Sequence, residues 1–277
     1  MSRRHCCGVN AIDPAVTAFL LSAREFFPLM NSVISSATTA IVLAAGLGSR
    51  LQADRPKGLV EIGGSHLLDR SLKLIYAAGI TKLVVVAGWK QEVYRKHLAE
   101  IFPTVRVVDN PAYASTGSLA SLVMGARVTS GDVLVVESDL LYERRALTHL
   151  LAAPRGDSLL TSGFTASADE VWVYASGNRL MHLSKTDWAG APRIGELVGL
   201  TRLSRVAVDR LIDAAATLPA AAHYEDGLNA ICADHPIDVC KVDDLQWCEI
   251  DTPEHLRRAN DQVWPRIQDQ DQTHFRS

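Results

Sequence analysis

The sequence predicts a three-layer α/β domain built on a mostly parallel mixed sheet. Three observations point to this class. Continuous apolar runs recur along the chain, the stretches between them carry apolar residues at helical spacing, and glycine or other turn formers close the runs. Strands that are apolar throughout are buried on both faces, and strands alternating with helices form a sheet covered on both sides.

The elements follow in order. Ala40 to Ala45 is an apolar run closed by Gly46, which suits a buried parallel strand. Leu68, Leu72 and Ile75 share one face of a helix over Leu67 to Ala78, with Gly79 as its stop. Leu83 to Ala87 is the next apolar strand, followed by a polar helix over Gln91 to Glu100 and a short strand over Val105 to Val108. Ser118 to Ala126 reads as a helix, Val133 to Val136 as a buried strand, and Arg144 to Leu151 as a helix. From Leu159 to Leu203 the pattern alternates more, as in Val171-Trp172-Val173-Tyr174, so antiparallel strands are expected there. Ala207 to Ala216 and Pro253 to Asn260 read as further helices. There is no internal repeat and no low-complexity linker. The ordered pattern sets residues 1–38 apart as a poorly ordered N-terminal extension, 39–265 as the domain and 266–277 as a C-terminal tail.

A chain of 277 residues with 48% hydrophobic content can bury a large core and suits one such domain. A net charge of −3 gives no general attraction to nucleic acid or to a membrane, so neither is expected as a partner. A polyanionic ligand must then be held by local cations and backbone donors. No apolar run is long enough to span a bilayer. The odd set Cys6, Cys7, Cys232, Cys240 and Cys248 lacks disulfide-framework spacing, which points to a reducing, cytoplasmic setting. Cys6-Cys7 has no companion Cys/His pair at finger-like spacing, so zinc is not expected there. Arg3 and Arg4 ahead of the apolar stretch Ala15 to Ala23 resemble a signal peptide only weakly; an extension is the preferred reading, and Met30 is an alternative start. A homodimer is left open.

The first strand runs into Gly46-Leu47-Gly48-Ser49-Arg50-Leu51. Two glycines let the backbone turn sharply and present N–H groups to an anion. A dinucleotide fingerprint needs a third glycine where Leu51 stands and an acid ending the second strand, where Ala87-Gly88-Trp89 stands instead. A P-loop needs a closing Gly-Lys-Ser/Thr, which is absent. A triphosphate loop of the nucleotidyltransferase kind remains. Arg50 and Lys57 put two cations beside it, one able to grip two phosphate oxygens and one compact.

Acids gather at two later strand ends. Val133 to Val136 leads into Glu137-Ser138-Asp139, and open α/β sheets bind ligands beyond the carboxyl ends of their strands. Asp139 could instead cap the helix that follows. In Trp247-Cys248-Glu249-Ile250-Asp251 a period of two puts Trp247, Glu249 and Asp251 on one face, where two acids repel unless a cation joins them. Thr252 and Pro253 supply the cap and first position of the next helix, so Asp251 is free for another role.

The string Leu43-Ala44-Ala45-Gly46-Leu47-Gly48-Ser49-Arg50-Leu51, with Pro56-Lys57-Gly58-Leu59-Val60 and Ile62-Gly63-Gly64, resembles the signature of the nucleoside-triphosphate transferase superfamily. The short linker from Arg50 to Pro56 and the Pro-Lys-Gly-Leu form look most like its phosphonate cytidylyltransferase branch. Glu137 to Glu143 and the run from Asn110 to Leu122 also look like that branch. The resemblance covers about Ala40 to Ala259.

It implies a Rossmann-like nucleotidyltransferase fold that transfers CMP from CTP to a small phosphonate or phosphate and releases diphosphate. Leu43, Ala45, Gly46, Gly48 and Ser49 would then meet the nucleotide, with Thr116, Ser118 and Ser121 at the base; hydroxyls of this kind also cap helices and tie loops. Asp139, Asp251 and Glu249 would hold Mg²⁺. Arg50, Lys57 and Lys185 would be the catalytic cations. Trp172, Arg193, Tyr224, Glu225 and Asp226 would form the acceptor side.

Phosphonoformate, in phosphonate antibiotic biosynthesis, is the first choice of acceptor, because Arg193 adds a cation and a full aromatic cage is lacking. The runner-up is 2-aminoethylphosphonate, whose amine could pair with Glu225 or Asp226. Phosphocholine is disfavoured, since Gly117 and Ser118 stand where its enzymes often have asparagines and Glu225 where they tend to have an aromatic residue. A sugar-1-phosphate nucleotidylyltransferase and a non-catalytic nucleotide-binding regulator are the remaining alternatives.

Overall fold

A computed structural model describes residues 37–273, apart from Gln52, Arg155 and 166–168. Residues 1–36, with the signal-peptide pattern, Cys6-Cys7 and Met30, lie outside the described residues.

In chain order the elements are β1 (Thr39–Ala44), β2 (Glu61–Ile62), β3 (Ser65–His66), α1 (Leu67–Ala77), β4 (Lys82–Ala87), α2 (Gln91–Ile101) and β5 (Arg106–Asp109). Next come α3 (Ser118–Ala126), β6 (Val133–Glu137), β7 (Leu140–Tyr142), α4 (Arg145–Ala152), β8 (Ser158–Ser162), β9 (Trp172–Ser176), β10 (Arg179–Ser184) and β11 (Arg193–Leu203). The chain continues through α5 (Arg205–Ala215), α6 (Tyr224–Ile231), β12 (Asp238–Val242), β13 (Trp247–Glu249), α7 (Pro253–Arg258) and α8 (Trp264–Thr273).

Nine strands form one sheet in the order β5-β4-β1-β6-β11-β8-β12-β10-β9. It is parallel from β5 to β6 and between β8 and β12, and antiparallel around β11 and across β9 and β10. Alternation along β1 explains the three layers. Ala40, Val42 and Ala44 face one core with α1, α2 and α4, through Leu72, Leu98 and Leu147. Ile41 and Leu43 face the other with α3, α5 and α6, through Leu122, Leu211 and Leu228. A fully buried leucine, isoleucine or valine among these contributes roughly 1.5–3 kcal/mol relative to exposure. Period-two burial on both faces is why β1, β4 and β6 are apolar apart from Thr39, Lys82 and Glu137 at their ends.

The alternating stretch gives β9, β10 and β11, which pair antiparallel. β11 is long enough to pair with β9 near its start and with β6 at its end. The register shift on β11 falls between Leu197 and Thr201. There Gly199 takes φ +82°, and a Cβ would lie 3.0 Å from the Glu137 carboxyl carbon.

One feature differs from the sequence reading, and one alternative it left open is excluded. Residues 266–273 belong to α8, not to a tail: Ile267 is fully buried, and the Asp271 carboxylate accepts from Arg70 and from the Arg144 backbone N–H. Asp139 does not cap a helix, because β7 intervenes and Arg144 takes the position before α4. Thr252 and Pro253 start α7 as expected, the threonine hydroxyl accepting from His255 N–H at 3.2 Å. Among the described residues no helix is long and apolar enough to cross a membrane.

Candidate active site

A cleft of about 290 Å³ opens beyond the carboxyl ends of β1 and β6. The chain steps from β1 to β4 on one side, and β6 returns to the other side of β1. Such a reversal is where open α/β sheets leave room for a ligand.

Local structure aims the cations. After β1 the loop closes in a short turn, Ser49–Leu51, anchored by buried Leu51. Gly48 takes φ +61°, and a Cβ there would lie 2.9 Å from Lys57 Cγ, so only glycine lets the loop pass the lysine stem. Lys57 opens a second short turn, Lys57–Leu59, and Gly58 N–H donates to the hydroxyl of buried Tyr94 at 3.2 Å. Lys57 therefore projects from a clamped backbone.

The acids come from two stitched strand ends. Ser138 N–H donates to Leu43 O at 3.2 Å, and Ile250 N–H donates to Asp139 O at 3.0 Å. Lys57 Nζ lies 3.0 Å from Asp139 Oδ2 and also donates to Asp251 Oδ1. Arg50 stands 3.2 Å from Asp251 Oδ1 and 2.7 Å from Asp169 Oδ2. Lys185 Nζ is 2.6 Å from Asp169 Oδ1, so Asp169 bridges the two cations.

Carboxylates outnumber cations in the cleft. Glu137, Asp139, Asp169, Glu170, Glu196, Glu225, Glu249 and Asp251 line it, against Arg50, Lys57 and Lys185. Burial, with the charges of Asp139 and Glu225, pushes the Glu137 carboxyl up to about 8. Burial and the neighbouring acids raise Glu249 well above the carboxylate range, and burial also raises Glu225 and Glu196. Burial would raise Asp251 as well, but Lys57 holds it below its ordinary value. Burial opposes the charge on Lys57, yet Asp139 and Asp251 more than offset this and keep it protonated.

The donor set fits a hard divalent cation. Ligand oxygens of Glu137, Asp139 and Glu249 lie within 4.8 Å of one another. Among the described residues the buried Asp251 Oδ2 beside them is paired with no lysine, arginine or backbone N–H, only set near the Glu249 carboxyl. An all-oxygen cluster with an orphaned carboxylate oxygen is the kind of site magnesium or calcium takes.

The sequence-derived residues divide into two groups. Leu43, Ala45, Gly46 and Arg50 line the cleft with Lys57 and Lys185, while Gly48 and exposed Ser49 belong to the same loop without lining it. Thr116, Ser118 and Ser121 line it too, but their hydroxyls are already engaged. Asn110 Nδ2 donates to Thr116 and Ser121 at 3.1 and 3.0 Å, and Ser118 Oγ accepts from Tyr224 N–H at 2.9 Å. On the acceptor side, Glu225 lines the cleft and its Oε2 is buried without a partner.

Four expected acceptor residues do not line the cleft. Tyr224 is buried in the core, with its hydroxyl against Glu137. Asp226 caps α6, its carboxylate accepting from His223 N–H at 2.8 Å. The Arg193 guanidinium stacks over the Trp172 ring at 4.5 Å and near Phe164 at 5.6 Å, so cation and indole satisfy each other outside the cleft.

Sequence reasoning missed Glu137, Asn110 and Asp169. Glu137 carried a usable signal, since a period of two sets it beside Asp139. Asp169 carried none: a loop acid acquires its role only through Arg50, 119 residues away in sequence, and Lys185, 16 residues on.

Residues 40–213 match the MobA-like NTP transferase domain family. The CMP-5'-(3-aminopropyl)phosphonate synthase of Streptomyces rubellomurinus is 29% identical over 242 residues, covering 80% of this chain and 38% of that protein. The bifunctional IPC transferase and DIPP synthase of Rubrobacter xylanophilus is 30% identical over 238 residues, covering 81% of this chain and 51% of that protein. The chain thus spans between 38% and 51% of the length of these curated relatives. The structure of the inositol-1-phosphate CTP transferase from T. maritima superposes with a TM-score of 0.72 at 20% identity, covering 84% of this chain and 96% of that one. That likeness concerns the fold.

Proposed function

This chain belongs to the MobA-like NTP transferase family, and from that premise we propose that it transfers CMP from CTP to a small amine-bearing phosphonate and releases diphosphate. The observation that carries the reading is Lys57 held between Asp139 and Asp251 beside the glycine loop. A pure nucleotide binder has no need of a buried lysine and acid cluster at the triphosphate end.

A phosphonate oxygen attacks the α-phosphorus of CTP in line. The new O–P bond forms as the bond to diphosphate breaks. The nucleophile is an anion near neutral pH, so no general base is required. Two polyanions must be brought together in a cleft rich in carboxylates, so positioning and charge neutralisation dominate the barrier. Asp139 and Asp251, with Glu137 and Glu249, would hold Mg²⁺. Bound there, the ion would neutralise phosphate charge and fix the triphosphate. Arg50 and Lys57 meet the leaving diphosphate. Lys185 meets the acceptor's anionic end once Asp169 yields it. Asn110, Thr116 and Ser121 offer a hydroxyl and amide network of a size suited to a pyrimidine.

The amine follows from Glu225, whose free Oε2 faces the same cleft as Lys185. The printed name of the Streptomyces relative, an aminopropylphosphonate synthase, supports the same class. Phosphonoformate is the second reading. It retains Lys185 but loses the support of Arg193, which is stacked on Trp172.

Diphosphate release tests the reading, using each of the four nucleoside triphosphates with 2-aminoethylphosphonate, phosphonoformate, phosphocholine, inositol-1-phosphate and glucose-1-phosphate. CTP with 2-aminoethylphosphonate should be fastest. Faster turnover of a purine triphosphate with the sugar phosphate would replace the reading, and nucleotide binding without turnover of any pair would point to a regulator.

A further inference from the structure

Away from the cleft, three side chains converge on one point. His66 ends β3, Asp69 sits in the first turn of α1, and His97 lies on α2. His66 Nδ1 is 3.0 Å from Asp69 Oδ2, and His97 Nε2 is 2.6 Å from Asp69 Oδ1. The imidazoles meet edge to face with centroids 4.7 Å apart. One ligand atom from each of the three residues lies within 4.8 Å of the others. All three side chains are mostly buried, Asp69 at 11% exposure, His97 at 17% and His66 at 26%.

An acid in the first turn of a helix is explained by the helix dipole. That does not explain two imidazoles, brought in by different elements, turned onto one carboxylate. We propose that His66, Asp69 and His97 form a binding site for a divalent transition-metal ion of the zinc type, separate from the nucleotidyl-transfer cleft.

Two features of the cluster carry the assignment. The first is the donor set. Two imidazole nitrogens and one carboxylate oxygen suit a borderline ion such as Zn²⁺, whereas the oxygen-only cluster in the cleft suits a hard cation. Tetrahedral zinc with bonds near 2.0–2.1 Å sets its ligands about 3.4 Å apart. The gaps seen here, each bridged by a ring N–H, need to open by less than ~1 Å once those protons leave. The second feature is the outer partner. Glu61 Oε1 faces the other ring nitrogen of His66, Nε2, at 3.6 Å. A carboxylate opposite the free nitrogen of a ligating histidine is the usual means of fixing its ring.

His66 and His97 line a shallow groove together with Arg55 and Leu59. Those last two flank Lys57. An ion here would tie β3 and α1 to α2 underneath the turn that presents the catalytic lysine.

The test uses tag-free protein stripped with a chelator and titrated with Zn²⁺ in excess Mg²⁺. One equivalent should bind, and zinc should raise the melting temperature of wild type and of Asp139→Asn alike. His97→Gln and, independently, the more exposed His66→Gln should each weaken zinc binding by at least about tenfold, since loss of even an outer-shell partner costs that much. Both should also abolish the thermal shift. Undiminished zinc binding in both histidine variants would overturn the proposal, and so would an equivalent lost only in Asp139→Asn, which would assign the zinc to the cleft. If either variant does not fold, the other decides, and imidazole NMR signals of wild type that do not move with zinc would overturn the site directly.

Discussion

Lys57 donates to one oxygen of Asp251 and leaves the other, Oδ2, buried and, among the described residues, without a donor. The side chain of Asp251 is only 1% exposed, so water does not satisfy that oxygen. A buried carboxylate half-neutralised by a lysine and half open is organised to receive a cation. Asp251→Asn and Asp139→Asn should therefore each lower turnover by about 10²–10³-fold, the cost typical of removing one preorganised electrostatic group. Circular dichroism should show the fold intact. Near-normal turnover at saturating Mg²⁺ in either variant would remove that residue from the metal site.

In the proposed reaction Lys57 faces charge that grows on the departing diphosphate, and CMP products lack that group. Lys57→Ala should lower kcat by about 10²-fold or more while weakening binding of the CMP product far less. Product affinity measured by calorimetry, set beside steady-state kinetics, separates the two effects. Equal losses in both would reduce Lys57 to a general binding or structural residue.

The parallel half of the fold was legible because its signal is local. β1, β4 and β6 are apolar on both faces and each is closed by a turn, so their positions follow from hydrophobic periodicity alone. That the glycine loop, Lys57, Asp139 and Asp251 would meet in one cleft was legible because loops and acids at the carboxyl ends of parallel strands gather on one side of the sheet. The acceptor side was not. Whether Tyr224 points into a cleft or a core depends on how α6 packs on α3, which period and composition do not encode. The same holds for Arg193, whose stacking on Trp172 requires the pairing of β9 with β11. Asp271 likewise anchors α8 through Arg70, about two hundred residues away in sequence.

Buried Asn110 donates to both Thr116 and Ser121 and so fixes the hydroxyls at the nucleotide end of the cleft. CTP should be preferred over UTP, ATP and GTP. Asn110→Ala should reduce that preference and destabilise the protein by ~1–3 kcal/mol, because Thr116 and Ser121 lose a buried partner. Competition kinetics among the triphosphates and a urea melt check the two parts. An unchanged CTP preference in the variant would separate base selection from this network.

Asp169 lines the cleft and bridges Arg50 and Lys185. Burial would raise its carboxyl, but Lys185 and Arg50 bring it below its ordinary 3.8. A depressed acid adds stability above its unfolded value and loses it as pH falls through the folded one. The melting-temperature gap between wild type and Asp169→Asn should therefore be full at neutral pH and vanish in the acid range below 3.8. Arg50 and Lys185 are both more than half exposed, so added salt should shrink the gap as well. A gap that persists in strong acid would assign the loss to packing instead of charge.

The proposed function has the acceptor's amine meet Glu225, and its test rests on charge. Its Oε2 is buried, unpaired and on the wall that also carries Lys185. Burial raises its carboxyl, so the group gains by meeting a cation inside the cleft. An ammonium on the far end of a phosphonate supplies one, while Lys185 meets the phosphonate itself. A hydrogen bond between charged groups is worth about 1.5–3 kcal/mol, so Glu225→Gln should raise KM for 2-aminoethylphosphonate roughly 10–150-fold. The same variant should change phosphonoformate kinetics little, because that acceptor has no amine to lose. Lys185→Ala should impair both acceptors, and Arg193→Ala neither, since its guanidinium is spent on Trp172. Phosphonoformate as the best wild-type acceptor, with Glu225→Gln affecting both equally, would return the choice to the small anionic acceptor. Phosphocholine as the best would exclude both, because its quaternary ammonium calls for an aromatic cage that Tyr224, buried in the core, does not supply.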